Sequence, residues 1–194
     1  SRQKSAIFCN CSFVHVPPVG LHGRFSIRIF APGCHAARNA SAVSDGASAL
    51  LIMSGARARA LGLTPMAKVR AMSASGCDPA IMGYGPVPST EKALAKAGIG
   101  IADLDVIEIN EAFAVQVLSF LEHFGIADDD PRVNPYGGAI AVGHPLASSG
   151  VRLMANMIAY FDANPKARYG LTTMCIGLGM GATVVWENTA EGAR

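Results

Sequence analysis

The end of the chain constrains its fold most. Two β-rich runs, residues 169–176 and 183–186, are joined only by Gly177-Leu178-Gly179-Met180-Gly181. A link that short turns the chain straight back, so the two runs form an antiparallel hairpin. Upstream, strands and helices alternate. Residues 67–72 and 105–109 have strand character. Ser89 caps a helix ending at Ala97 before Gly98; a second helix puts Phe113, Val117, Phe120, Leu121 and Phe124 on one face; a third puts Val151, Met154, Ile158 and Phe161 inward before Pro165. Such alternation implies parallel crossovers, and with the closing hairpin it predicts an α/β fold, a mixed β-sheet covered by helices. Shorter features complete the pattern: Asp45 can cap a short helix over 47–50, although the apolar run 49–53 fits a buried strand as well, a helix over 56–61 is stopped by Gly62, and a Gly- and Pro-rich loop covers 76–88.

Composition separates the first 38 residues from the rest. They hold Arg2, Lys4, Arg24, Arg28 and Arg38 and no acid, with Pro17-Pro18 breaking any long helix. The expectation is an irregular, weakly attached segment over 1–38 and a folded domain over 39–190. The whole chain is 51% hydrophobic and 15% charged, enough apolar material for a sizeable core, and its net charge of +2 gives no reason to expect nucleic acid as a partner. No run of about 18 apolar residues is present, so no membrane partner is expected either. Five cysteines, an odd number, fit reduced thiols and a cytoplasmic location. Cys9, Cys11, His15 and His22 match no zinc spacing, and no metal site is expected.

Three places carry candidate chemistry. Gly177, Gly179 and Ala182 satisfy G-x-G-x-x-A, but strand-forming residues follow where a dinucleotide fingerprint would open a helix. What remains is Cys175 at a strand end, beside glycines whose backbone N–H groups could meet an oxyanion; a buried structural cysteine is the plainer alternative. His144 stands in Gly143-His144-Pro145 within a loop dense in glycine, a setting that can present an imidazole to a reacting group. Asn110-Glu111 lies at a strand-to-helix junction, where Asn110 could orient a water or cap the helix.

Taken together, Asn110-Glu111-Ala112-Phe113-Ala114, the run from Gly137-Gly138 through Gly143-His144-Pro145-Leu146, and Cys175-Ile176-Gly177-Leu178-Gly179-Met180-Gly181 resemble the C-terminal half of a thiolase in order and spacing. Asn39-Ala40-Ser41-Ala42-Val43-Ser44-Asp45-Gly46-Ala47 resembles that family's N-A-S-G-x-N-D-G-A signature, with Ala42 and Ser44 departing from it, as Ala147 departs from the glycine of the histidine motif. The resemblance implies a thiolase-like C-terminal domain, half of a layered αβαβα fold, and acyl transfer between coenzyme A thioesters by Claisen condensation or thiolytic cleavage. No permanently bound cofactor is implied; acyl-CoA and coenzyme A are substrates.

The resemblance also assigns roles. His144 would deprotonate the acyl-accepting cysteine and help hold the thioester oxygen. Cys175 would carry the proton at the α-carbon, Asn110 would hold a water of one oxyanion site, Gly177 would give a backbone N–H to an oxyanion, and Ser41 would touch the pantetheine of coenzyme A. The acyl-accepting cysteine itself belongs to the family's N-terminal half, and Cys9, Cys11 and Cys34 have no matching context. The chain is therefore expected to be a C-terminal fragment that would need the other half, in a family whose intact members form homo-oligomers. The alternative is a non-catalytic module that binds coenzyme A or assists assembly.

Overall fold

The computed structural model describes residues 39–190. The expectations for 1–38, including those on Cys9, Cys11, His15, His22 and Cys34, lie outside the described residues. After a short helix α1 (Gly55–Ala60) come strand β1 (Ala67–Gly76), a 3-10 turn (Pro79–Tyr84), α2 (Pro86–Ala97), β2 (Val106–Ile109), α3 (Ala114–Phe124), the single turn α4 (Ala139–Val142), α5 (Ser149–Ala163) and the hairpin β3 (Tyr169–Ile176) and β4 (Met180–Asn188). The sheet order is β1-β4-β3-β2; β2 runs parallel to β3, and β4 is antiparallel to both of its neighbours. This is the mixed sheet that the alternation and the hairpin imply.

Each face is covered by the helices the apolar pattern supplies. On one side Val87, Ala93 and Leu94 of α2 and Phe120 and Leu121 of α3 pack with Ile107, Ile109, Leu171 and Val185. On the other, Met157 and Phe161 of α5 pack with Val106 and Trp186. The outer edge of β2 is closed by residues 132–134. The Ile107 N–H donates to Arg132 O (2.8 Å), the Ile109 N–H to Asn134 Oδ1 (2.8 Å), and Asn134 Nδ2 returns a bond to Ile109 O (3.0 Å). An amide side chain thus stands in for a strand's backbone and removes a row of unpaired edge groups.

Four local expectations are corrected. Residues 47–53 form neither the short helix nor the buried strand that the apolar run allowed, because Ser48 Oγ donates to Ser148 O (2.9 Å) and the preceding chain is drawn out by bridges from Ala40 to Phe113 and Val43 to His144. β1 continues past Met72 to Gly76 and β4 begins at Met180, since Ser73–Gly76 find partners in Thr183–Met180 despite their weak strand preference. Ser89 does not cap α2, which opens at Pro86. It lies buried inside the first turn, donating to Pro86 O (3.1 Å) and sharing a hydrogen bond with Thr183 Oγ1 (2.8 Å). On α5 the fully buried stripe is Leu153, Met157 and Phe161, while Val151, Met154 and Ile158 are half-buried beside it. Apolar residues occupy both stripes, so periodicity alone could not choose between them.

The hairpin turns through Leu178 and Gly179, both at positive φ (68° and 80°). Ile176 pairs with Met180, so the loop is the three residues Gly177, Leu178 and Gly179; Asn and Gly tolerate the left-handed region at its centre, whereas leucine meets a steric cost there. Leu178 is 86% exposed and loses little packing on replacement. Leu178→Asn is therefore expected to raise unfolding stability by roughly 0.5–1 kcal/mol, read as a higher urea midpoint. An unchanged or lower midpoint would show that Leu178 makes a contact the fold needs.

Candidate functional site

β2 and β3 run parallel, so their carboxyl ends open on the same side of the sheet, where ligands of open α/β sheets usually sit. Asn110 follows β2 directly, and its backbone N–H donates to Thr173 O of β3 (2.9 Å), which fixes its side chain at that rim. The rim also receives the loop after α4. His144 is held there by its own N–H donating to Ala42 O (2.8 Å). Glu111 anchors the same loop, accepting from Asn134 Nδ2 (2.9 Å) and from the Ile140 N–H (3.0 Å). A Cβ at Gly138 would collide with that carboxylate, so glycine is what lets the loop close over Glu111.

Asn110 and His144 meet directly: Asn110 Nδ2 lies 3.4 Å from His144 Nε2, a long hydrogen bond. On the far side of the ring, Nδ1 lies 2.6 Å from Ser149 Oγ at the start of α5. An amide NH2 can only donate, so Nε2 offers its lone pair and Nδ1 carries the proton of the neutral ring, donating to Ser149. Burial, with Arg152 adding to it, lowers the His144 pKa below the usual histidine value, which keeps the imidazole neutral at pH 7. Asn110 is fully buried, and its Oδ1 has no partner among the described residues. A buried acceptor left open beside a neutral imidazole is suited to receive a water or a ligand donor.

Cys175 stands at the end of β3, 8% exposed, with its thiol 4.0 Å from Gln116 Oε1 of α3. Burial pushes the thiol pKa up, so it is protonated at neutral pH. Gly177 is exposed one residue past β3, with open space where a side chain would be. Ser41 lies beside the other junction, its N–H donating to Ala112 O (3.1 Å) and its hydroxyl to the same oxygen (3.4 Å). The structure thus joins Asn110 to His144 by a hydrogen bond and sets Cys175 at the end of the neighbouring strand, while Ser41 bonds Ala112 O, just past the Asn110-Glu111 junction, through both its N–H and its hydroxyl. Ser149 and Gln116, which hold the imidazole and the thiol, were not singled out by the sequence. A serine five residues after a candidate histidine, and a glutamine on the inward face of an apolar helix, were the available signals.

Among the described residues no group of three or more His, Cys, Asp or Glu side chains could hold a metal ion, and no helix is long and apolar enough to cross a membrane.

Comparison with known proteins gives a consistent result. Residues 63–188 match the family model described as thiolase, C-terminal domain. The 3-ketoacyl-CoA thiolase of Pseudoalteromonas atlantica is 55% identical over 156 residues, covering 80% of this chain and 40% of that protein. Human mitochondrial 3-ketoacyl-CoA thiolase superposes with a TM-score of 0.77 at 42% identity, covering 80% of this chain and 39% of the human one; its complex with CoA gives 0.76, also at 42% identity, with 79% and 38% covered. The chain spans about 40% of the length of these relatives. The Asn110–His144 pair and the Cys175 strand end both lie within the matched span, and on that match the chain belongs to the thiolase family, as its C-terminal domain.

Proposed function

We propose that this chain supplies the thioester-activating half of a thiolase-type acyltransferase acting on acyl-CoA and 3-ketoacyl-CoA. The observation that carries this is the Asn110–His144–Ser149 chain at the carboxyl ends of β2 and β3, with an open acceptor on Asn110 and a buried thiol, Cys175, on the neighbouring strand. His144 Nε2 is the base, oriented by Ser149. Asn110 orients a water that donates to a thioester oxygen, and His144 joins it as a donor through Nε2–H once the ring has accepted its proton. Cys175 takes and returns the proton at the α-carbon, and the Gly177 N–H faces a second oxyanion. Ser41 contacts the pantetheine arm. Coenzyme A and its thioesters are the partners; that a relative has been solved in complex with CoA supports this. A homo-oligomer, and an N-terminal half that brings the acyl-accepting cysteine, complete the reading.

A second reading, a coenzyme A-binding or assembly module without chemistry, is favoured by the share of the relatives that this chain covers. Isotope exchange separates the two. In D2O the chain should catalyse deuterium uptake at the α-carbon of acetyl-CoA, because that half-reaction needs only the Cys175 sulfur as proton carrier and a held thioester oxygen. The rate should rise with pH across the alkaline range, since burial raises the Cys175 pKa and the thiolate is the reactive form. Cys175→Ala should abolish it. Acetyl-CoA binding with no exchange above the Cys175→Ala background would support the module instead.

A further inference from the structure

Beneath His144 a polar seam runs through an otherwise apolar interface. Glu108 and Asn110 occupy alternate positions from β2, so they share the sheet face that meets α5. From α5, Ser149, Arg152 and Asn156 fall at i, i+3 and i+7, one stripe of the helix. The ends of the seam are bonded: Ser149 to His144 Nδ1 (2.6 Å), and Asn156 Nδ2 donating to Glu108 Oε2 (3.1 Å). Between these rungs sits Arg152, whose Nε and Nη2 are buried with no hydrogen-bond partner among the described residues, as is Oε1 of the fully buried Glu108. Unmatched donors and an unmatched carboxylate oxygen within one seam cost stability that an apolar pair would not. Neither residue is used by the proposed chemistry.

We propose that Arg152 is a positioning residue for His144: lodged along the α5 stripe between the imidazole and its buried counter-charge Glu108, its guanidinium holds the imidazole in the neutral, proton-accepting form. This deepens the reading of His144 as the base and takes its catalytic meaning from that reading. The charged and titratable groups around His144 are few. Arg152 faces it from α5, Glu108 and Glu111 come from β2 and its exit, Cys175 from the end of β3, and Asp45, from the segment paired with the His144 loop, is exposed. Arg152 is therefore the cation in this group and acts against a second positive charge on the ring. Glu108, pushed up to about 7 by burial against the pull of Asn156 and Arg152, ionises within the physiological range. Its ionisation offsets part of the Arg152 field.

The test is an NMR pH titration of the imidazole resonances of the whole 194-residue chain, with His144 assigned by His144→Gln. Arg152→Met should raise the pH at which His144 titrates by about half a unit to one unit, a roughly three- to tenfold gain in proton affinity. Arg152→Lys, which keeps the charge, should leave it near the unsubstituted value. An unmoved titration in Arg152→Met, or a lysine variant that behaves like the methionine one, overturns the proposal. The unsubstituted chain gives a second check that needs no folded variant: ionisation of Glu108 should move the His144 resonance again near pH 7, and a single-step curve overturns the coupling. These readouts are independent of turnover. A shifted titration with no Cys175-dependent exchange would discard the functional reading and keep this one.

Discussion

Purified alone, the 194-residue chain is expected to leave acetoacetyl-CoA and coenzyme A unreacted. Thiolytic cleavage of the covalent kind needs a cysteine thiolate that accepts the acyl group, and the proposed residues do other work: His144 accepts a proton, Cys175 exchanges one at carbon, and Asn110 and Gly177 address oxygens. Loss of a nucleophile normally costs several orders of magnitude in rate, and oxyanion stabilisation recovers only a part of it. Cys175 cannot substitute, since burial raises its pKa and leaves little thiolate at neutral pH. The check is release of acetyl-CoA, followed for the chain and for His144→Ala. Turnover on the order of 10 per second, the ordinary enzyme range, and lost in His144→Ala, would mean that the chain holds an acyl-accepting group of its own, with Cys34 the first to substitute.

The second large effect falls on Glu111→Ala. Glu111 ties β2 to the histidine loop by accepting from Asn134 Nδ2 (2.9 Å) and the Ile140 N–H (3.0 Å), and Asn134 in turn closes the β2 edge. Removing the carboxylate leaves both donors without their anion, and hydrogen bonds to a charged acceptor are worth about 1.5–3 kcal/mol each. An unfolding penalty of about 2–4 kcal/mol is expected after partial replacement by water. The loop that carries His144 should also lose amide-exchange protection from Asn134 to Gly143. Gly138→Ala should reproduce the effect in weaker form, because its Cβ would displace the same carboxylate. Urea unfolding and hydrogen exchange measure both variants. A Glu111→Ala midpoint equal to that of the unsubstituted chain would show that the loop is held by something else.

The sequence was most informative where a single local rule decided the outcome. The hairpin at Tyr169–Asn188, the strand into Asn110 and the Phe120/Leu121 face of α3 follow from turn length and periodicity. Elements governed by distant contacts were less legible. The Asp45 helix gave way because residues 40–48 are held by Phe113, His144 and Ser148, the last of them 100 positions from its partner Ser48. At the site, Asn110, His144 and Cys175 stood out because each sits in a short local motif, a strand-to-helix junction for Asn110 and glycine-rich runs for His144 and Cys175. Ser149, Gln116, Arg152 and Glu108 did not, since their significance lies in facing residues up to 59 positions away, as Gln116 faces Cys175. Asn156 bonded to Glu108 across the α5 interface is similarly invisible to any window of a few residues.

The most direct test of the central claim, that Asn110, His144 and Cys175 form a thioester-processing centre lacking only its acyl acceptor, is a chimera. Residues 39–190 replace the equivalent C-terminal segment of the Pseudoalteromonas atlantica 3-ketoacyl-CoA thiolase, with which this chain shares 55% identity. Thiolytic cleavage of a 3-ketoacyl-CoA by the chimera is then measured at saturating coenzyme A. The account predicts turnover within about tenfold of the parent enzyme, a barrier difference of about 1.4 kcal/mol, falling by at least about a hundredfold in Cys175→Ala and in His144→Ala. A folded, coenzyme A-binding chimera without turnover, or one whose rate survives both substitutions, would contradict it.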